Sequence, residues 1–318
     1  MMLLHFLFII IGVVLVLWGA DRMTEGASGI ARRLNVPEMV IGLTIVAAGT
    51  SAPELCVSMV SALRGTPDLA IGNVVGSNIF NTLLIVGCAA VTAPMVISKT
   101  TVRKDIPFAF AASLLLVIIS MDGWDSLSLH GHIISRFDGL LLLAGFAFFM
   151  FYTFRVAKSG HAEESNKKPM PIWLGFCWML VGITCLVVGS NLFVSSASAV
   201  ATGFGISESV VGLTIVAGGT SLPELATSVV AARKGQSAIA MGNVIGSNVF
   251  NILLILGTTA AICPMQIGGI SLIDLSAMFF SMGLVWLFSY TKYTIERWEG
   301  FLLTTIFTIY MGWLLYNL

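Results

Sequence analysis

The chain has 318 residues, of which 57% are hydrophobic and 10% charged, with a mean hydropathy of +0.96 and zero formal net charge. A soluble protein carries roughly 25% charged residues, so a large soluble domain is excluded and the composition is that of a polytopic protein in a lipid bilayer. Without net positive charge, nothing points to a nucleic-acid partner.

In chain order, apolar runs long enough to cross a bilayer, about 20 residues each, are predicted at 3–21, 37–63, 69–94, 106–121 and 138–154. A second set lies at 172–199, 208–232, 238–264, 272–290 and 300–316. The N-terminal run lacks the basic n-region of a signal peptide, so it is expected to be retained as the first span. The stretch between the sets is the most polar one, with Lys158, His161, Glu163, Glu164, Lys167 and Lys168. The expected organisation is therefore an N-terminal five-helix repeat at 1–154, a cytoplasmic linker at 155–171 and a C-terminal five-helix repeat at 172–318. Five cysteines (Cys56, Cys88, Cys177, Cys185, Cys263) lie in apolar runs without paired spacing and read as small core residues, not disulfides or metal ligands.

The two halves share text. From 42–87 against 212–257, 29 of 46 positions are identical without a gap, at a constant offset of 170. Five spans per repeat is an odd number, so the second repeat enters the membrane from the opposite side: an inverted repeat. Basic residues agree with this count. Loops on one side hold 14 Lys and Arg residues, and the other side holds only Arg64 and Arg136. That split places the basic side in the cytoplasm and both termini outside. The fold class expected is an all-α membrane protein of ten transmembrane helices, as two inverted five-helix repeats with helices broken at mid-membrane.

The break is predicted at Gly49-Thr50-Ser51-Ala52-Pro53-Glu54 and at Gly219-Thr220-Ser221-Leu222-Pro223-Glu224. Glycine relaxes the backbone and proline withholds an N–H. Carbonyls freed at that depth need protein or a bound ion as partner. A glutamate inside an apolar span is costly and marks function, and here Glu54 and Glu224 hold equivalent places in two repeats. Thr50 and Ser51, mirrored by Thr220 and Ser221, sit at the same breaks. The next span of each half offers Ser77 and Asn81, mirrored by Ser247 and Asn251, four residues apart on one helical face. Two carboxylates with hydroxyls, amides and carbonyls form a hard-oxygen set that suits Ca²⁺, which takes 6–8 oxygens. With no His or Cys in the set, a soft transition-metal site is not expected. Two carboxylates neutralise one Ca²⁺ or two Na⁺. Without a cation they would be two close buried anions, a state that protons could also relieve.

Structural readings stand beside these. Ser51-x-x-Glu54 is also the spacing of a capping box, in which Ser51 and Glu54 serve only their own helix. Ser77, Asn81 and their mirrors could be hydrogen-bonding glue between helices. Phe80 and Phe250 are expected to pack. Glu38 and Glu208 each start a helix, where the helix dipole explains them, and Asp274 reads the same way. Asp21 and Glu25 map onto Asn191 and Ser195, so their charge is not mirrored and they read as surface. His130-x-His132 reads as a solvated turn.

At Gly-Thr-Ser-x-Pro-Glu and Gly-Asn-Val-x-Gly-Ser-Asn-x-Phe-Asn, each present twice, the chain resembles the cation/Ca²⁺ exchanger superfamily, and within it the prokaryotic Na⁺/Ca²⁺ exchanger branch. The motifs match that family's two alpha-repeats, over about a third of the chain. The resemblance implies a secondary antiporter, not an enzyme, with no cofactor, in which Na⁺ entry drives Ca²⁺ out by alternating access. It implies Glu54 and Glu224 as shared ion ligands. Thr50, Ser51, Thr220 and Ser221 would line adjoining Na⁺ sites, and Ala47 and Ala217 would add carbonyls. Ser77, Asn81, Ser247 and Asn251 would complete the cluster. The first and sixth helices would slide across the remainder. Some relatives carry Asp where this chain has Asn81 or Asn251, and an Asp matching Asn251 goes with K⁺ use, so K⁺ dependence is not expected. The link after the first repeat is too short for a regulatory Ca²⁺-binding domain. The expectation is thus a multi-pass protein of a bacterial or archaeal inner (plasma) membrane, a monomer whose partners are Ca²⁺, Na⁺ and lipid. The rival readings are an H⁺/Ca²⁺ antiporter, in which the glutamates carry protons, and a cation channel, which needs no ion-for-ion coupling.

Overall fold

The structure of the protein, a computed structural model, describes residues 2–121, 133–159, 170–204 and 217–316. Helices dominate. The first, α1 (Met2–Leu34), is followed by a bent pair, α2 (Glu38–Thr50) and α3 (Ala52–Leu63), and by α4 (Pro67–Thr92). Next come β1 (Met95–Val96), α5 (Ile106–Ser120), β2 (Ile133–Ile134) and α6 (Arg136–Ser159). The second half holds α7 (Ile172–Gly203), α8 (Ala217–Thr220), α9 (Leu222–Arg233) and α10 (Ser237–Ile262). It closes with β3 (Met265–Gln266), α11 (Leu272–Tyr290), β4 (Thr294–Ile295) and α12 (Arg297–Tyr316). Among the described residues seven helices are long and apolar enough to cross a membrane, and the bent pair makes an eighth.

The helices sort by exposure. The apolar stretch of α10 is 94% buried and that of α4 72%, whereas those of α1, α6 and α12 are 17% buried. α4 and α10 are therefore the protein-facing centre, and the other three turn most of their surface outward, as lipid-facing helices do. Phe80 of α4 stacks edge-on against Phe307 of α12, and Phe250 of α10 against Phe146 of α6. Both phenylalanines thus pack, as expected. All five cysteines are free.

α1 departs from its expected limits of 3–21. No proline interrupts it, and its 33 residues span about 50 Å, longer than the roughly 30 Å hydrocarbon core and hence tilted. It ends where Asn35 takes a positive φ of 52° ahead of Pro37. The polar residues that seemed to end the span stay inside the helix because they are paired. Arg22 lies 2.7 Å from Asp21 and 2.9 Å from Glu25, with its guanidinium over the rings of Trp18 and Trp178. Asp21 and Glu25 are therefore not plain surface residues but members of an ion-pair cluster. α7 likewise runs four residues beyond its expected end, and α6 extends through Ser159 into the predicted linker. Residues 160–169, with His161, Glu163, Glu164, Lys167 and Lys168 of the linker, lie outside the described residues, as do Glu208, His130 and His132.

α1 and α7 are the equivalent first helices of the two repeats, and they run antiparallel in close contact. Gly12 faces Gly189, Gly19 faces Gly182 and Gly26 faces Gly175, every seventh residue. A Cβ built on Gly12, Gly19 or Gly26 would come within 2.8, 2.8 and 2.5 Å of the opposing carbonyl oxygen. Small residues at one face let two membrane helices approach this closely. The repeats also exchange short strands. β1 pairs antiparallel with β4 and β2 with β3, so a strand after the third helix of each half joins one before the last helix of the other. These pairings put the loops around Lys99 and Lys292 at one end of the bundle, and Lys99 sits over the ring of Tyr293 there.

Gly19→Ala is expected to overpack this contact and cost about 1–3 kcal/mol. Gly312→Ala, with nothing within 4 Å of the added carbon, should be neutral or stabilising by up to about 1 kcal/mol. Thermal unfolding of both variants in detergent tests the contrast.

Candidate ion-binding site

The break forms where the sequence places it. α2 and α3 meet at Ser51 with a bend of 46°. Ser51 has φ −83° and ψ 5°, and its mirror Ser221 has φ −90° and ψ 6°. Pro53 and Pro223 occupy the first turn of the following helix in each half, where a missing N–H costs least. Glu54 and Glu224 lie in the same first turns, and both are 1% exposed.

A capping box would have each serine bond back to its own helix. Neither Ser51 nor Ser221 makes a side-chain cap bond. Ser51 Oγ instead donates to Glu224 Oε1 at 3.0 Å, and Ser221 Oγ donates to Glu54 Oε1 at 3.1 Å. The hydroxyls cross between the repeats, so that each carboxylate is held by the other half's break. Thr50 crosses as well, its hydroxyl reaching Asn243 of the second half.

The flanking helices complete the cluster. Ser77 Oγ of α4 lies 3.2 Å from Ser221 Oγ, within hydrogen-bond reach, and Ser247 of α10 donates to Glu224 Oε1 at 3.5 Å. Asn81 and Asn251 each come directly after the first residue of a π-helical stretch, Phe80–Ile85 and Phe250–Leu256, where the helix locally widens. Asn81 Nδ2 donates to Asn248 Oδ1 at 3.0 Å. The Ala47 carbonyl accepts from the Ser51 N–H at 2.9 Å and from Thr50 Oγ1 at 3.4 Å. Ala217 opens α8 at the edge of the described residues.

Four buried acceptor atoms here have no protein donor: Glu54 Oε2, Glu224 Oε2, Asn81 Oδ1 and Asn251 Oδ1. Each such orphan costs about 1–3 kcal/mol, more for a charged group. The four form two matched pairs and could meet a cation; Asn248 Nδ2, beside Asn81, is a buried donor likewise without a partner. Among the described residues no third His, Cys, Asp or Glu joins the two glutamates, so the formal charge of the cluster is set by that pair alone.

Two asparagines that sequence reasoning passed over support the site from behind. Asn243 Oδ1 accepts from Thr50 Oγ1 at 3.0 Å, while its Nδ2 donates to the Glu224 carbonyl at 3.3 Å and to Ser228 Oγ at 2.9 Å. Asn73 does the same in the first half, donating to the Glu54 carbonyl at 3.3 Å and to Ser58 Oγ at 3.0 Å. Both sit inside the duplicated text at the 170-residue offset. The filter that picked the glutamates would have found them. Glu38 is a buried partner of the Ser28 hydroxyl and lies 3.8 Å from Arg32, away from the cluster. Asp274 closes a capping box with Ser271 and accepts from Tyr310 at 2.7 Å.

Known proteins resemble this chain over nearly its whole length. A family profile described as sodium/calcium exchanger protein matches residues 4–155 and 174–316. The sodium/calcium exchanger MaX1 of Methanosarcina acetivorans is 33% identical, over 99% of this chain and 100% of its own length. The inner membrane protein YrbG of Escherichia coli is 36% identical, over 84% of this chain and 82% of its own. Among solved structures, the sodium-calcium exchanger NCX_Mj superposes with a TM-score of 0.83 at 31% identity, covering 98% of this chain and 99% of that one.

Asn243→Ala removes the acceptor for Thr50 and the donor to the Glu224 carbonyl. The expected cost is about 1–3 kcal/mol for the polar groups left buried, read as a lowered unfolding midpoint. Asn243→Ser, which keeps one hydroxyl partner, should recover part of it.

Proposed function

The chain belongs to the sodium/calcium exchanger protein family, whose members are membrane transporters and not enzymes, and from that premise we propose that it exchanges Na⁺ for Ca²⁺ by alternating access. One observation carries the reading. Each N-cap serine leaves its own helix to hold the other repeat's glutamate, and each of those glutamates keeps one buried oxygen without a donor. Glu54 and Glu224 are the shared ligands, with charge enough for one Ca²⁺ or two Na⁺. Ser77, Asn81, Ser247 and Asn251 supply neutral oxygens from the central helices. Thr50, Ser51, Thr220 and Ser221, with the carbonyls of Ala47 and Ala217, supply the rest toward the 6–8 that Ca²⁺ takes.

The empty cluster is unfavourable, because two anions then share a site shielded from water. Either cation relieves the repulsion, and a shuttling protein whose filled forms are the stable ones moves ions only in exchange. A channel would need a continuous path instead. Coupling to protons is the nearer rival, since protons relieve the same repulsion. The absence of a carboxylate at Asn251 argues against K⁺ as a co-substrate. The topology that goes with this reading has ten spans as two inverted repeats, the basic loops in the cytoplasm and both termini outside. The molecule works as a monomer in the plasma membrane.

In proteoliposomes, Glu54→Gln or Glu224→Gln is expected to abolish Na⁺-driven uptake of labelled Ca²⁺, and full uptake by either variant would overturn the assignment. Uptake driven by a pH gradient without Na⁺ would move the assignment to proton coupling. Ca²⁺ at a hundred times its Kd should stabilise the parent by about 2.7 kcal/mol. That gain should vanish in the Gln variants, which should be more stable than the parent without divalent cations.

A further inference from the structure

The duplicated sequence gives the two ends of the bundle equivalent positions, so they can be compared residue by residue at the 170-residue offset. At the lysine-rich end, Lys234 follows α9 and reaches α1. Its ammonium lies 2.7 Å from Asp21 Oδ1, 2.9 Å from the Asp21 carbonyl oxygen and 3.1 Å from Thr24 Oγ1, the last fully buried. Beneath this contact Met23 is fully buried. Its sulfur is 3.9 Å from Thr227 Oγ1, and its methyl lies 3.3 Å from where a Cβ on Gly49 would stand. The space between α1, α9 and the first break is filled.

The equivalent space at the other end is open. A cavity of about 430 Å³ separates α7 from α3 and reaches the second break, lined among others by Cys56, Val57, Ser190, Asn191, Val194 and Thr220. At the 170-residue offset Asn191 stands for Asp21, Val194 for Thr24 and Arg64 for Lys234. The cation is mirrored and exposed on α3's end, but its acid and its hydroxyl are replaced by an amide and a methyl pair. An exposed ion pair alone would be weak. Here one ammonium makes three contacts to the neighbouring helix, one of them to a buried group, and Asn191 leaves the position equivalent to Asp21 without an acid to copy them.

We propose that Lys234 and Asp21 form a one-sided latch that holds the site shut toward the lysine-rich end, so that the protein rests open through the Asn191 cavity. The latch, not the ion ligands, sets the ratio of apparent ion affinities on the two faces. This rests on the exchange reading above, because a latch biases transport only if two access states exist. The groups facing the pair are Arg22 and Glu25 on α1 and Thr24 beneath it. Arg22 is already shared between Asp21, Glu25 and the two tryptophan rings, so Lys234 is the cation that joins the repeats.

The test uses the full chain in oriented proteoliposomes, its five native cysteines replaced. Spin labels go on the exposed Val60 of α3 and Val188 of α7. The parent should give one dominant distance. Asp21→Asn or Lys234→Met should add a shorter population as the cavity closes, and should shift the ratio of half-saturating Ca²⁺ on the two faces by about fivefold or more. Exchange at saturating ions should be retained. The double reversal Asp21→Lys with Lys234→Asp should restore the parent distances, and Asn191→Asp, which gives Arg64 an acid to meet, should add the shorter population by itself. Unchanged distances and an unchanged ratio in both single variants would overturn the latch. Shifted single variants that the double reversal fails to restore would also count against it, by assigning the effect to packing. Absence of exchange in the parent is a separate result, and it would sink the transport reading instead.

Discussion

Two buried carboxylates of like charge, each held by a serine of the other repeat, are the constraint around which the rest of this protein is arranged. Left alone in a low-dielectric interior they would drive the half-helices apart or take up protons. The chain instead surrounds them with neutral donors drawn from the opposite repeat. Each break gives up its own cap to do so, since Ser51 and Ser221 bond across and not back. The half-helix starts are thereby left to the dipole and to the proline, both tolerable there. Local helix stability has been exchanged for a cluster that belongs to neither repeat alone.

The central helices answer the same demand. α4 brings Ser77 to Ser221 and α10 brings Ser247 to Glu224, and the π-helical stretches beginning at Phe80 and Phe250 carry Asn81 and Asn251. The extra residue per turn rotates the next turns of each helix, while the ring of each leading phenylalanine anchors it against α12 or α6.

Much of this was legible in the sequence, for definite reasons. Duplication acted as a filter, because a residue retained twice at one offset inside an apolar run has been kept for chemistry both halves share. That isolated Glu54, Glu224 and the serines, and the glycine–proline pattern located the break. What duplication could not show is what the two copies do to each other. The crossed hydroxyl bonds, the Gly12–Gly189 register and the bridging of Thr50 by Asn243 are contacts between residues more than a hundred positions apart. The length of α1 was hidden for a related reason. Hydropathy falls at Asp21, but the helix continues, because the charges that seem to end it are met by Lys234 from the far half of the chain. Filtering on shared charge also set Asp21 aside, although the asymmetry is its point of interest.

The glycine register between α1 and α7 has a mechanical meaning. Three carbonyl contacts spaced over two turns each leave no slack for the pair to scissor or peel. The two helices are held as one rod that passes both breaks. On the exchange reading proposed above, a slide of this rod that opens the site at one end closes it at the other by the same stroke, so the two compartments never reach the ions together.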